Sequence, residues 1–141
     1  MTERRARRKP GENRERLLQA GLHEFGLYGY QGASTARIAA RADVPQPHVY
    51  ANFSDKFSLF LACLDRAFEL LASTKPARGD VSTSELMIFQ ALAAAYDPDH
   101  GVEILARLEG AGFCNPARRD ATVVAAAAQI TQRVSARSTP D

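Results

Sequence analysis

A chain of 141 residues with 45 % hydrophobic content and a net charge of +2 has the size of one domain, or of two small ones sharing a core, and enough apolar material to fold. No apolar run approaches the roughly 20 residues that span a bilayer, and the N-terminus lacks the apolar stretch of a signal peptide, so no membrane partner and a cytoplasmic location are expected. Abundant alanine, with only seven prolines and nine glycines, predicts an all-α fold, because alanine is the best helix former.

The charge is unevenly spread. Up to Arg16 there are seven basic residues (Arg4, Arg5, Arg7, Arg8, Lys9, Arg14, Arg16) against three acidic ones (Glu3, Glu12, Glu15). Residues 1–11 show no apolar periodicity, close on Pro10-Gly11 and read as a basic flexible arm. Such an arm suits a polyanion, whose counterions it would release, and equally a solvated tail.

From Asn13 the spacing of Leu18, Gly21, Leu22 and Phe25 marks one face of a helix that should stop near Leu27 to Gly29. Gly29 and Gly32 supply the bend, and Ser34 is a suitable N-cap for a short second helix over about 35–42, with Ile38, Ala39 and Ala42 inward. Asp43-Val44 makes a tight turn into a third helix over about 46–52, and Val44, Val49 and Phe53 are spaced to cover the first two. Pro45 and Pro47 fall in its first turn, where the amides have no intrahelical acceptor and proline starts a helix rather than breaking it.

Ser54 is expected to cap a fourth helix over about 55–73, whose apolar stripe (Phe57, Phe60, Leu61, Leu64, Phe68, Leu71) is too long to serve the small cluster alone. A loop over TKPARGDVS follows, then a Ser82/Glu85 capping box opening a fifth helix that reaches about Tyr96. Asp97-Pro98 and Asn115-Pro116 each place a cap residue before a proline and predict helices over 98–111 and 116–136, with a frayed tail. Cys63 and Cys114 lie in apolar segments without metal-binding or redox spacing and read as buried free thiols.

Helices two and three, with their brief turn, have the form of a helix-turn-helix, which presents its second helix to the major groove of DNA. Residues 14–60, RERLLQAGLHEFGLYGYQGASTARIAARADVPQPHVYANFSDKFSLF, resemble the DNA-binding domain of TetR-family transcriptional regulators. The likeness rests on the first helix, Gly29-Tyr30, Ser34-Thr35, Ile38-Ala39, Ala42, Val44, Val49-Tyr50, Phe53 and Lys56. It implies that Thr35 and Arg37 meet phosphate or a base edge, that Gln46, Pro47 and His48 form the front of the recognition helix, and that Tyr50, Asn52 and Lys56 hold the DNA backbone. The chemistry agrees: glutamine pairs with adenine, proline presses on a thymine methyl, and tyrosine and lysine bind phosphate. Phe53 is expected to be core, while the hydroxyl of Tyr50 needs a wet or anionic partner.

The sequence departs from the family pattern at Asp43, where glycine is usual, at Pro45, where a serine cap is common, and at Asn52, where histidine is frequent. Asp43 can adopt the left-handed conformation, but its carboxylate beside phosphate is unfavourable.

The expected organisation is therefore a basic arm (1–11), a helix-turn-helix domain (12–56), a helical regulatory and dimerisation domain (57–137) and a tail (138–141). The resemblance further implies a repressor that binds a double-stranded DNA operator as a homodimer and is released by a small hydrophobic effector. Seven helices are fewer than the family usually has, so the C-terminal part reads as shortened. Phe60, Cys63, Phe89, Leu92, Tyr96 and Phe113 are candidates to line an effector pocket and equally candidates for the core. A helical module that binds a ligand or protein without productive DNA binding is the alternative. His23, His100 and Arg118-Arg119 read as surface or helix-face residues. No nucleophile–base set, phosphate loop or metal cluster is visible, so neither an enzyme nor a cofactor is expected.

Overall fold

The computed structural model describes residues 7–73, 83–113 and 115–137. Ser82 as a cap, the 74–82 loop, Cys114, the first six residues of the arm, the Arg118 side chain and the 138–141 tail lie outside the described residues.

The fold is all-α, as expected: α1 (Glu12–Gly32), α2 (Thr35–Ala42), α3 (Pro47–Asn52), α4 (Lys56–Ser73), α5 (Thr83–Ala94), α6 (Gly101–Gly110) and α7 (Pro116–Arg137). Among the described residues no helix is long and apolar enough to cross a membrane.

Helix α1 is the hub. It packs against α2, α3, α4 and α5, and its stripe of Leu17, Leu18, Leu22 and Phe25 is buried. Phe25 meets Phe60 of α4 edge-on, with ring centroids 5.1 Å apart. Burying each such ring contributes on the order of 2 kcal/mol. Close approach of α4 requires a missing side chain: a Cβ built on Gly21 would stand 2.5 Å from Cys63 Sγ. Burial pushes the Cys63 thiol well above its ordinary pKa, so it is an inert core residue.

The first helix runs in name to Gly32, but Gly29 (φ 75°, ψ 178°) leaves helical conformation where the sequence places the stop. Ser34 Oγ then accepts the Arg37 amide at 3.1 Å and starts α2. Helix α2 ends in a full left-handed cap. Asp43 has φ 55°, its amide donates to Ala40 O, and the Val44 amide reaches back to Ala39 O.

Three starts and stops differ from expectation. Helix α4 is capped by Asp55, whose carboxylate accepts the Ser58 amide at 2.7 Å; Ser54 instead hydrogen-bonds the Ser58 hydroxyl. The ionised carboxylate is the better acceptor for an orphan amide, so it takes the position. Helix α5 stops at Ala94, short of Tyr96, in a turn closed by Asp97 N to Ala94 O. Asp97 does cap, accepting the Asp99 and His100 amides at 2.9 Å, but regular α6 begins only at Gly101. The chain presses so closely there that a Cβ on Gly101 would lie 2.4 Å from Ala95 O. Asn115 caps α7 through the Ala117 amide at 3.0 Å.

The C-terminal helices meet the N-terminal cluster at an aromatic junction. The His100 ring lies 4.1 Å from Phe57 and 5.3 Å from Tyr30, so His100 belongs to this stack rather than to a solvated helix face. Phe68 and Phe113 stack at 5.4 Å further along.

Candidate nucleic-acid interface

Helix α3 has six residues, too few to be stable alone. Its first turn is tight, with His48 N donating to Pro45 O and Val49 N to Gln46 O. Pro47 is the first helical residue, whereas Pro45, expected in the same turn, stands before the N-cap residue Gln46 and outside the helix; neither proline forfeits a bond that the helix would have made. Val49 is fully buried and anchors the element; Gln46, Pro47, His48, Tyr50 and Asn52 are all exposed.

Four of the candidate contacts form two hydrogen-bonded pairs. Thr35 Oγ1 and the Tyr50 hydroxyl lie 3.3 Å apart, joining the start of α2 to α3. Tyr50 is 55 % exposed, so its ring is not core. Asn52 turns its amide back onto His48 O at 2.8 Å and closes the end of α3. Lys56 is half-buried with Nζ 4.7 Å from the centre of the Tyr30 ring. Its pKa is lowered by burial and, secondarily, by the Arg37 charge, while burial, then Asp55 and Asp97, raises that of Tyr30.

Arg37 is exposed, yet its guanidinium is engaged in contacts within the protein. Its guanidinium hydrogen-bonds Gly32 O, lies 5.0 Å from the centre of the Tyr28 ring, and faces Glu24 Oε2 at 3.4 Å. Arg41, one turn on, donates to Glu24 Oε1 at 3.1 Å. Glu24 is only 4 % exposed and Oε2 has no hydrogen bond, so that oxygen is held by charge alone. The sequence reading missed Glu24. A signal was available: it stands three residues after Gly21 and seven after Leu17 on the buried face, and Arg37 and Arg41 have the i, i+4 spacing that matches one carboxylate.

The reading also missed a second set, around the turn. Arg8 donates to Asp43 O at 2.7 Å, to Asp43 Oδ2 at 2.8 Å and to Asn13 Oδ1 at 3.0 Å. Arg16 donates to Ala42 O at 3.0 Å and lies 3.9 Å from Asp43 Oδ2. The carboxylate that stands where glycine is usual is thus neutralised by two arginines. Arg14 lies 5.2 Å from the centre of the Phe53 ring.

The six candidate pocket residues are not gathered in one place. Phe60, Cys63 and Phe113 are buried in the core, Phe89 and Leu92 are half-buried, and Tyr96 is 93 % exposed. Tyr96 lines a cleft of about 330 Å³ with Tyr28, Tyr30 and Gln90 where α1 and α5 end. Another cleft, of about 360 Å³, lies between α1 and α2 and includes Arg16, His23 and Arg41. Among the described residues no group of three or more His, Cys, Asp or Glu side chains could hold a metal ion.

Residues 17–63 match the family described as bacterial regulatory proteins, tetR family. The chain is 42 % identical over 71 residues to the HTH-type transcriptional activator FasR of Mycolicibacterium smegmatis, covering 50 % of this chain and 32 % of that protein. It is 33 % identical over 75 residues to the HTH-type transcriptional repressor SCO4008 of Streptomyces coelicolor, covering 53 % of this chain and 39 % of that one. The matches thus span well under half the length of these relatives. A crystal structure from Mesorhizobium loti, classed with the TetR-family transcriptional regulators, superposes with a TM-score of 0.55 at 20 % identity, covering 90 % of this chain and 72 % of that one; it shares the fold.

Proposed function

Residues 17–63 make this chain a member of the tetR family of bacterial regulatory proteins, and from that premise we propose that it is a sequence-specific DNA-binding regulator of transcription. The observation that carries the reading is the division of labour in α3: Val49 alone holds the helix to the core, leaving Gln46, Pro47 and His48 without a packing role. Polar and apolar groups kept at the surface on a rigid, short helix suit base-edge contact in the major groove.

Gln46, Pro47 and His48 read bases. Thr35, Tyr50, Asn52 and Lys56 hold phosphates, and Lys56 does so with a charge already half withdrawn from water. Arg37 contributes by fixing α2 on α1 through Glu24 more than by direct contact. In this reading two copies bind half-sites about 34–36 Å apart, with residues 12–56 as the DNA-binding domain and residues 57–137 forming the pairing and effector-sensing part. The regulator is a repressor released by a small effector. One relative is an activator and another a repressor, and the sign of control depends on where the operator lies relative to the promoter.

Selection from random duplex DNA at low salt, followed by binding measured against ionic strength, tests the reading. Enrichment of one pseudo-palindromic sequence with a steep salt dependence is the expected outcome; a folded chain that enriches no sequence would refute it.

A further inference from the structure

Resting on the placement of α3 in the major groove, we propose that Arg8 and Asn13 are positioning residues for base reading, because they fix which ring nitrogen of His48 carries the proton. The donor and acceptor capacities of the three side chains decide it. A guanidinium can only donate, so the Asn13 atom that meets Arg8 Nη1 at 3.0 Å is the amide oxygen. That leaves the Asn13 amide nitrogen facing His48 Nδ1 at 3.4 Å. An NH₂ group can only donate, so Nδ1 accepts and the ring proton resides on Nε2.

Arg8 is itself held in place. It makes two hydrogen bonds to Asp43, the residue in left-handed conformation at the turn, and Asn52 closes on His48 O from the other side. The relay Asp43–Arg8–Asn13–His48 therefore joins the arm, α1, the turn and α3. Arg8 and Asn13 both lie outside residues 17–63, the stretch shared with the family.

The consequence is a rule for the base that His48 meets. An exposed Nε2–H donor accepts partners with a major-groove acceptor: guanine O6 or N7, adenine N7 and thymine O4. Cytosine offers only its amino donor there and is rejected. One such bond is worth about fivefold in affinity against cytosine.

The test uses the full chain labelled with ¹⁵N-histidine. Without DNA, the ¹⁵N shifts of the wild-type His48 ring should show the proton on Nε2 and Nδ1 bare. In Asn13→Asp the carboxylate can only accept, so Nδ1 should gain a proton. A wild-type ring protonated on Nδ1, or an Asn13→Asp ring identical to wild type, overturns the relay. Binding is then compared on operators carrying each base at the His48 position, at a pH where the ring holds one proton. The cytosine penalty should vanish in Asn13→Asp, while the salt slope stays that of wild type. A penalty unchanged after the proton has moved overturns the base-reading role. A chain that binds no DNA refutes the function proposed above, and the ring shifts still decide the relay.

Discussion

Glu24 Oε1 of α1 accepts a hydrogen bond from Arg41 Nε of α2 at 3.1 Å, and the carboxylate is buried while the guanidinium is 43 % exposed. Because the arginines reach water, removing the carboxylate strands no buried cation. Glu24→Ala should therefore cost about 1–3 kcal/mol, below the full loss seen when a buried pair is broken. Urea denaturation measures it. Glu24→Gln, which keeps the shape and one acceptor, should cost less; equal losses for both variants would mean that charge alone matters.

Asp43 serves backbone and side chain at once. Asp43→Ala places an ordinary residue at φ 55° and removes the carboxylate that Arg8 meets, and should destabilise by about 1–2 kcal/mol. Asp43→Gly relieves the backbone and loses only that carboxylate, so its stability should stay within about 1 kcal/mol of wild type. Thermal unfolding of the pair separates the two roles.

Gly21 sits where a Cβ would lie 2.5 Å from Cys63 Sγ. Gly21→Ala gains helix propensity of about 1 kcal/mol but overpacks the α1–α4 contact, and the net effect should be a loss of about 1–2 kcal/mol. Adding Cys63→Ala removes the sulfur that the new methyl meets. The double variant should be more stable than the sum of the single effects, as a double-mutant cycle would show.

Acid should weaken the helix starts. Asp55 has its pKa lowered chiefly by the Ser58 amide and then by the Ser58 hydroxyl, and Asp97 by the His100 and Asp99 amides. A carboxylate depressed on folding stabilises the protein above its unfolded value, about 3.9, and that contribution is lost as pH falls through the lower folded value. Unfolding followed from pH 5 down to about pH 2 should show this fall. Asp55→Asn, which still accepts a hydrogen bond but does not ionise, should flatten it.

Binding variants test the proposed division between backbone and base contacts. Lys56→Ala should weaken every DNA sequence alike and reduce the salt slope by about one, whereas Gln46→Ala should change preference at one base position by about 1–3 kcal/mol. Fluorescence anisotropy on an operator and its single-base variants distinguishes them. Equal losses on all variants for Gln46→Ala would count against base reading.

What could be read from the sequence was local. Ser34, Asn115 and the helical start at Pro47 act on amides within three residues, and the left-handed tolerance of Asp43 is a property of that residue alone. The stripe of Leu17, Leu18, Leu22 and Phe25 was legible because its period is that of a helix. What stayed hidden depends on distant partners. Arg8 finds Asp43 across 35 residues, Arg41 finds Glu24 across 17, and the His100 ring is drawn into a stack by Tyr30 and Phe57. Ser54 misled because two neighbouring residues could cap α4, and only the fold decides which oxygen reaches the amide.

Helix α3 buries one side chain, Val49, and opens on Pro47, with Pro45 just ahead of its N-cap residue Gln46. Proline narrows the unfolded ensemble as well as shaping the native turn, so the element is ordered before any partner arrives. Since the outward positions add little to folding, the proposed function places specificity and stability on different residues. New operators could be acquired by rewriting the front of this helix one residue at a time, with the scaffold bearing almost none of the mutational load.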